Sequence, residues 1–133
     1  MKENNFVRAL LDTIPSTEYS PVVLIIKNSQ TAKLILDDFK SKCKDQGIIL
    51  IDGCKMILDG QIDIIQRKDI CILFENLEFI IEKETYESSF FTIFNYMMSN
   101  CIPMVITLSK DIDSAFQGRN KSRLLWGVKA EIT

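Results

Sequence analysis

The sequence predicts an α/β fold, a three-layer sandwich with a parallel sheet between two layers of helices. Three observations predict it. Val22–Ile26, Ile48–Ile51, Ile70–Phe74 and Met104–Thr107 are short, unbroken apolar runs rich in β-branched residues, as expected of strands buried on both faces. The stretches between them carry apolar residues at helical spacing. Strands alternating with helices of this length pack best as a parallel sheet covered on both sides.

Each element has its own signal. Phe6, Val7, Leu10 and Leu11 predict a helix over about residues 4–13. Pro15 and Pro21 bracket a polar connector, and Val22–Ile26 is the first strand. Asn28 or Ser29 can cap the next helix, whose buried stripe is Ala32, Ile35, Leu36, Phe39 and Cys43, with Gly47 as its stop. Ile48–Ile51 is the second buried strand, closed by Asp52-Gly53. Residues 54–67 fit neither period, and Asp59-Gly60 reads as a break. Ile70–Phe74 is the third strand. Tyr86, Phe90, Ile93, Phe94 and Met97 predict an amphipathic helix over about 82–99. Met104–Thr107 is the fourth strand. A short helix near 111–117, a turn around Arg119–Arg123 and a last strand over 128–132 complete the series. Leu124 and Trp126 are expected in the core.

Composition bounds the function. A chain of 133 residues reads as one domain, 1–133, with 47 % hydrophobic and 26 % charged residues and a net charge of −2. That is the balance of a soluble globular domain, without the field that would draw nucleic acid. No apolar run reaches the ~18 residues of a membrane span. The start lacks a signal-peptide core. Cys43, Cys54, Cys71 and Cys101 form no Cys-x-x-Cys pair, and the chain has no histidine. This argues for reduced thiols in a cytoplasmic protein, against a mixed zinc site, and against any catalytic triad built on histidine.

Two segments carry the chemistry. One is Asp69-Ile70-Cys71-Ile72-Leu73-Phe74-Glu75-Asn76-Leu77-Glu78-Phe79; the other is Arg119-Asn120-Lys121-Ser122-Arg123-Leu124-Leu125-Trp126-Gly127. In order and spacing they resemble the P-loop NTPase domain of the AAA+ replication initiators, DnaA and its short relative Hda. The resemblance covers about residues 5–132. It implies that Glu75 and Asn76 stand for the acidic pair that serves magnesium and the attacking water, and that Thr107 or Ser109 stands near a γ-phosphate. Glu78 falls where that family often has glutamine. The helical lid and the helix-turn-helix DNA-binding domain that follow in DnaA are expected to be absent here, so direct DNA binding is not carried over.

The same resemblance places the phosphate loop at Lys27-Asn28-Ser29-Gln30-Thr31-Ala32-Lys33-Leu34. A phosphate loop reads G-x-x-x-x-G-K-[ST]: glycines let amides curl around phosphates, lysine reaches them, and a hydroxyl holds magnesium. Lys33 keeps the lysine and Thr31 lies nearby, whereas Lys27 and Ala32 replace both glycines and Leu34 replaces the hydroxyl. Cβ atoms disfavour the positive φ that glycine accepts, and leucine cannot ligate magnesium. No cofactor is therefore expected, and ATP with magnesium is the alternative.

The arginine element is better preserved. The resemblance makes Arg123 an arginine finger for a neighbouring subunit's nucleotide, with Arg119, one turn away, as its support. Its removal should then cost less than about 0.5 kcal/mol, as at an ordinary surface site. The structural alternative is an ion pair with Asp113 of its own domain. Gln61-Ile62-Asp63-Ile64-Ile65 is similar to the short motif that docks proteins on the sliding clamp. The function expected is a non-catalytic regulator of replication initiation acting on another AAA+ protein such as a DnaA-type initiator. The alternative is an ATPase using Lys33 and Glu75.

Overall fold

Among the described residues, five strands and six helices follow one another as a strand–helix alternation. They are α1 (Lys2–Asp12), β1 (Val22–Ile26), α2 (Ser29–Asp45), β2 (Ile49–Asp52), α3 (Gly53–Asp59), β3 (Ile70–Phe74), α4 (Glu78–Ile81), α5 (Glu84–Ser99), β4 (Met104–Leu108), α6 (Gly118–Leu124) and β5 (Val128–Ile132). The structure, a computed structural model, describes residues 2–60, 69–81, 84–112, 116 and 118–133, and only the backbone at 2, 3, 84, 118 and 119. The expected helix near 111–117 falls largely outside the described residues, as does the Gln61–Ile65 motif.

The sheet order is β2-β3-β4-β1-β5, and every neighbouring pair is parallel. Alternation along each strand divides the core into two layers. Val23, Ile25, Ile72, Phe74, Met104 and Ile106 point to the layer closed by α5, where Phe90, Ile93, Phe94 and Met97 are buried. Val22, Leu24, Cys71, Leu73 and Val105 point to the other, closed by Val7, Leu10 and Leu11 of α1 and Ile35 and Phe39 of α2. The packing is aromatic where it is deepest: Phe74 meets Phe90 edge to face at 5.3 Å between ring centroids. Ion pairs from Arg8 to Asp38 and from Lys42 to Asp12 brace α1 on α2.

The structure corrects three expectations. The second strand lies at the sheet edge and is half-exposed, not buried on both faces; Ile49 is 41 % accessible. Residues 54–59, part of the 54–67 stretch that fits neither period, join Gly53 in α3. Asp52 caps it, accepting from the Lys55 amide at 3.1 Å, and Gly60 in the left-handed region ends it. Arg119–Arg123 lies within the helix α6 and not in a turn.

Candidate functional site

The parallel register brings the C-terminal ends of β1, β3 and β4 to one edge, where α/β sheets place ligands. A cleft of about 420 Å³ opens there, lined among others by Lys33, Lys40, Glu75, Asn76 and Ser109. A second cleft of about 350 Å³ lies beside it over Leu50, Asp52, Cys54 and Leu73. Lys40 and Glu75 belong to both. Their ion pair, at 2.8 Å, stands between the two clefts.

The β1–α2 connection is short. Only Lys27 and Asn28 separate strand from helix, so the segment expected to form a phosphate loop is mostly the first turn of α2. Several of its amides are engaged internally. Lys27 donates to the Ile132 carbonyl at 2.8 Å, and Ala32 donates to the Asn28 carbonyl at 3.0 Å. Thr31 donates to Oδ1 of Asn28, the N-cap, at 3.1 Å. Lys33 is exposed and reaches Asp37 one turn on, at 2.8 Å. That carboxylate, by hydrogen bond and charge, raises the Lys33 pKa above the ordinary lysine value. Leu34 faces solvent.

Around the acidic segment, contacts are again internal. Asn76 takes a left-handed φ of 52°, which asparagine tolerates. Its amide donates to the Thr107 hydroxyl at 2.9 Å, and the Leu77 amide donates to the Thr107 carbonyl at 3.2 Å. Thr107 is buried, so this hydroxyl pins the β3–α4 turn to β4. Glu78 is buried too. It accepts from the Ser109 amide at 3.0 and 3.1 Å and from the Ser109 hydroxyl at 2.8 Å. Sequence reading placed Glu78 by resemblance only and overlooked Lys40; a lysine pairing across 35 positions leaves no local signal. Cys54 donates from Sγ to the Glu75 carbonyl at 3.3 Å. Burial, with nearby carboxylates adding to it, pushes that thiol up to about 11.

Arg123 is held within its own domain. Its Nε donates to Oδ1 of Asn95 at 2.9 Å. Its guanidinium lies 4.2 Å from the Phe91 ring centroid and 5.2 Å from that of Trp126. Asp113, the alternative partner, lies outside the described residues, and so does the side chain of Arg119. Leu124 is in the core as expected, whereas Trp126 is 56 % exposed. Its ring lies 5.9 Å from Phe94 between centroids, so one face meets the core while the rest stays in solvent. Gly127, next to it, sits so close to Pro21 that a Cβ would run into the Pro21 carbonyl. Among the described residues no helix is long and apolar enough to cross a membrane.

No protein-family model matches the sequence, and no curated protein matches it either. Solved structures do match. The AMPPCP-bound DnaA of Aquifex aeolicus superposes with a TM-score of 0.79 at 16 % identity, covering 100 % of this chain and 47 % of that one. The fold is that of the DnaA AAA+ domain. Domain III of the Thermotoga maritima DnaA gives 0.73 at 17 % identity, over 98 % of this chain and 62 % of that one. DnaA bound to AMPPCP and single-stranded DNA gives 0.76 at 15 % identity, over 99 % and 47 %. The chain thus spans about half the length of the first of these DnaA structures. The expected three-layer α/β architecture, with its parallel sheet, stands.

Proposed function

We propose that this chain is a DnaA/Hda-like regulator of replication initiation in the cytoplasm, non-catalytic itself, that acts by contact with another AAA+ protein such as a DnaA-type initiator. One observation carries the reading: α2 runs through the segment where a phosphate loop would lie, with the Thr31 and Ala32 amides engaged by Asn28. Glu75, the remaining acid of the expected pair, is neutralised by Lys40. The reading also rests on the sequence of α6, which resembles the arginine-bearing segment of that family. On this reading Arg123, supported by Arg119, reaches a nucleotide held by the partner, because an arginine finger needs no nucleotide in its own subunit.

A second reading has support in the cleft itself. Its volume of about 420 Å³ lies within the ~300–1,000 Å³ range of small-molecule sites, and an ATPase would use Lys33 and Glu75 there, with Thr31, Asn76 and Thr107 around the phosphates. One experiment separates the two. The ATPase rate and oligomer size of the initiator from the same cell are measured with and without the chain, alongside ATP binding to the chain alone. The regulator reading expects an altered initiator and no tight ATP binding by the chain. An unaffected initiator rejects it, and ATP turnover by the chain alone establishes the second reading.

A further inference from the structure

The sheet ends at β5, which has β1 on one side and no further strand on the other among the described residues. Its backbone groups divide by parity. The Val128 amide donates to the Pro21 carbonyl at 3.1 Å, and the Ile132 carbonyl accepts from the Lys27 amide at 2.8 Å. The even-numbered residues therefore turn their amides and carbonyls to β1, and those of Lys129 and Glu131 point outward. The fold itself shows what this side accepts. Just past the strand, Asn4 meets Thr133 as a neighbouring strand would. Its Nδ2 donates to the Thr133 carbonyl at 2.8 Å, and the Thr133 amide donates to its Oδ1 at 3.0 Å.

The side chains of β5 are self-complementary. The strand reads Val-Lys-Ala-Glu-Ile, with Lys129 and Glu131 exposed on one face and Ala130 and Ile132 buried on the other. When two such strands run antiparallel about Ala130, Lys129 of each copy faces Glu131 of the other. A lysine alone on a sheet edge keeps other strands away. The acid two residues on, where a second copy's lysine lies in that pairing, turns repulsion into a match. The ends agree as well. Exposed Glu18 precedes Tyr19 at the Val128 end, and exposed Lys27 lies at the Ile132 end, so the antiparallel arrangement sets opposite charges alongside. The other sheet edge, Ile49-Leu50-Ile51-Asp52, carries an acid and no base. Beside β5, Phe6 and Tyr19 are 47 % and 36 % exposed. With Ala9, Leu10 and Val128 they line an apolar groove of about 220 Å³.

We propose that the outer edge of β5 is a self-association surface, and that its occupant is β5 of a second copy of this chain, antiparallel about a two-fold axis at Ala130. Lys129 of each copy exchanges backbone hydrogen bonds with Glu131 of the other, as in strand addition. The contact is isologous, so each charged pair occurs twice. The grooves beside Phe6 and Tyr19 add apolar surface at the two ends of the pair. Neither the cleft nor α6 takes part, so the proposal is independent of the regulator reading.

The test follows the intact chain by sedimentation velocity from micromolar to millimolar concentration. Its mass should rise from 15.3 kDa toward twice that value, and hydrogen exchange at the Lys129 amide should slow in step. Lys129→Glu and Glu131→Lys, both at exposed positions, should each weaken self-association about tenfold, the ~1.4 kcal/mol of two symmetric pairs turned from unlike to like charge. Mixed in equal amounts, the two variants should associate as tightly as the parent, because every pair across the edge is again an acid facing a lysine. A parent that stays at 15.3 kDa throughout overturns the proposal. So does a dimer that neither reversal weakens, or that mixing fails to restore, since such a dimer uses another face. Should either reversal lower the melting temperature, exchange at Lys129 of the parent decides alone, and a rate that does not follow concentration overturns the proposal.

Discussion

Addition of ATP and magnesium should leave the stability of this domain almost unchanged. The magnitude follows from the β1–α2 connection. To present its amides to phosphate, the chain must give up the Asn28 cap, whose bond to the Thr31 amide is 3.1 Å. Loss of such a cap costs about 1 kcal/mol. The Ala32 and Lys27 amides, committed to Asn28 and Ile132, forgo charge-assisted bonds to phosphate of about 1.5 kcal/mol each. A phosphate site of micromolar strength, about −8 kcal/mol, is thereby reduced to about −4 kcal/mol, a Kd near 1 mM. At 1 mM ATP a ligand of that affinity stabilises by ~0.4 kcal/mol, whereas a Kd of ~10 μM would give ~2.7 kcal/mol. For a domain of this size, about 4 °C of melting temperature corresponds to 1 kcal/mol. The expected shift in a thermal melt is thus under about 2 °C. A shift near 10 °C, or a calorimetric Kd below about 10 μM, would refute the reasoning and favour the ATPase reading.

Three further outcomes follow from the packing. Gly127→Ala should destabilise by about 3 kcal/mol, the upper end of overpacking, since the obstacle is Pro21 backbone; a melting temperature within about 2 °C of the parent would contradict the geometry. Arg123→Ala should cost about 1–2 kcal/mol in urea unfolding, from the Asn95 hydrogen bond and two ring contacts, and more than the near-neutral effect expected from sequence; Arg123→Lys should recover part of it. Ellman's reagent near pH 8 should modify exposed Cys101 first and Cys54, raised to about 11, slowly. Cys43 and Cys71, both buried with pKa values raised by that burial, should react only on unfolding, and mass spectrometry of the native protein showing either one labelled would contradict the core assignment.

Where the sequence is legible, the reason is periodicity. Val22–Ile26, Ile70–Phe74 and Met104–Leu108 are buried on both faces, so their composition alone marks them. Residues 49–51 have the same composition but sit at the sheet edge, because strand order is a tertiary property that no local run encodes. The helix α3 was hidden by its shortness, although Asp52 three residues before Lys55 is a readable cap signal. Trp126 was expected inside on hydrophobicity, yet it meets the core only along Phe94 and is 56 % exposed, a placement that tertiary packing sets. At the cleft, the lack of any glycine over residues 27–34 is visible in the sequence. The pairing of Lys40 with Glu75 is not, since it needs α2 laid across the end of β3.

On the proposed reading, the arginine of α6 and the internally bonded cleft are consistent parts of one arrangement. In a self-sufficient nucleotide site, selection on a phosphate loop and on its acids is coupled, because each is useless without the other. Here the Thr31 amide serves a helix cap, Glu75 an ion pair, and Thr107 a turn anchor. Such contacts hold the sheet edge together without a ligand. The α6 element depends on none of them. Arg123 rests on Phe91, Asn95 and Trp126, residues of the opposite layer and of its own turn. Holding a guanidinium between two rings limits its rotamers before any partner arrives, which lowers the entropy lost on contact. If the proposed partner supplies phosphate at that surface, the ring contacts need not be broken, because stacking leaves the guanidinium plane's charge in place while an anion approaches its edge. The same preorganisation that makes Arg123→Ala destabilising is then what equips it for a role in another protein's site.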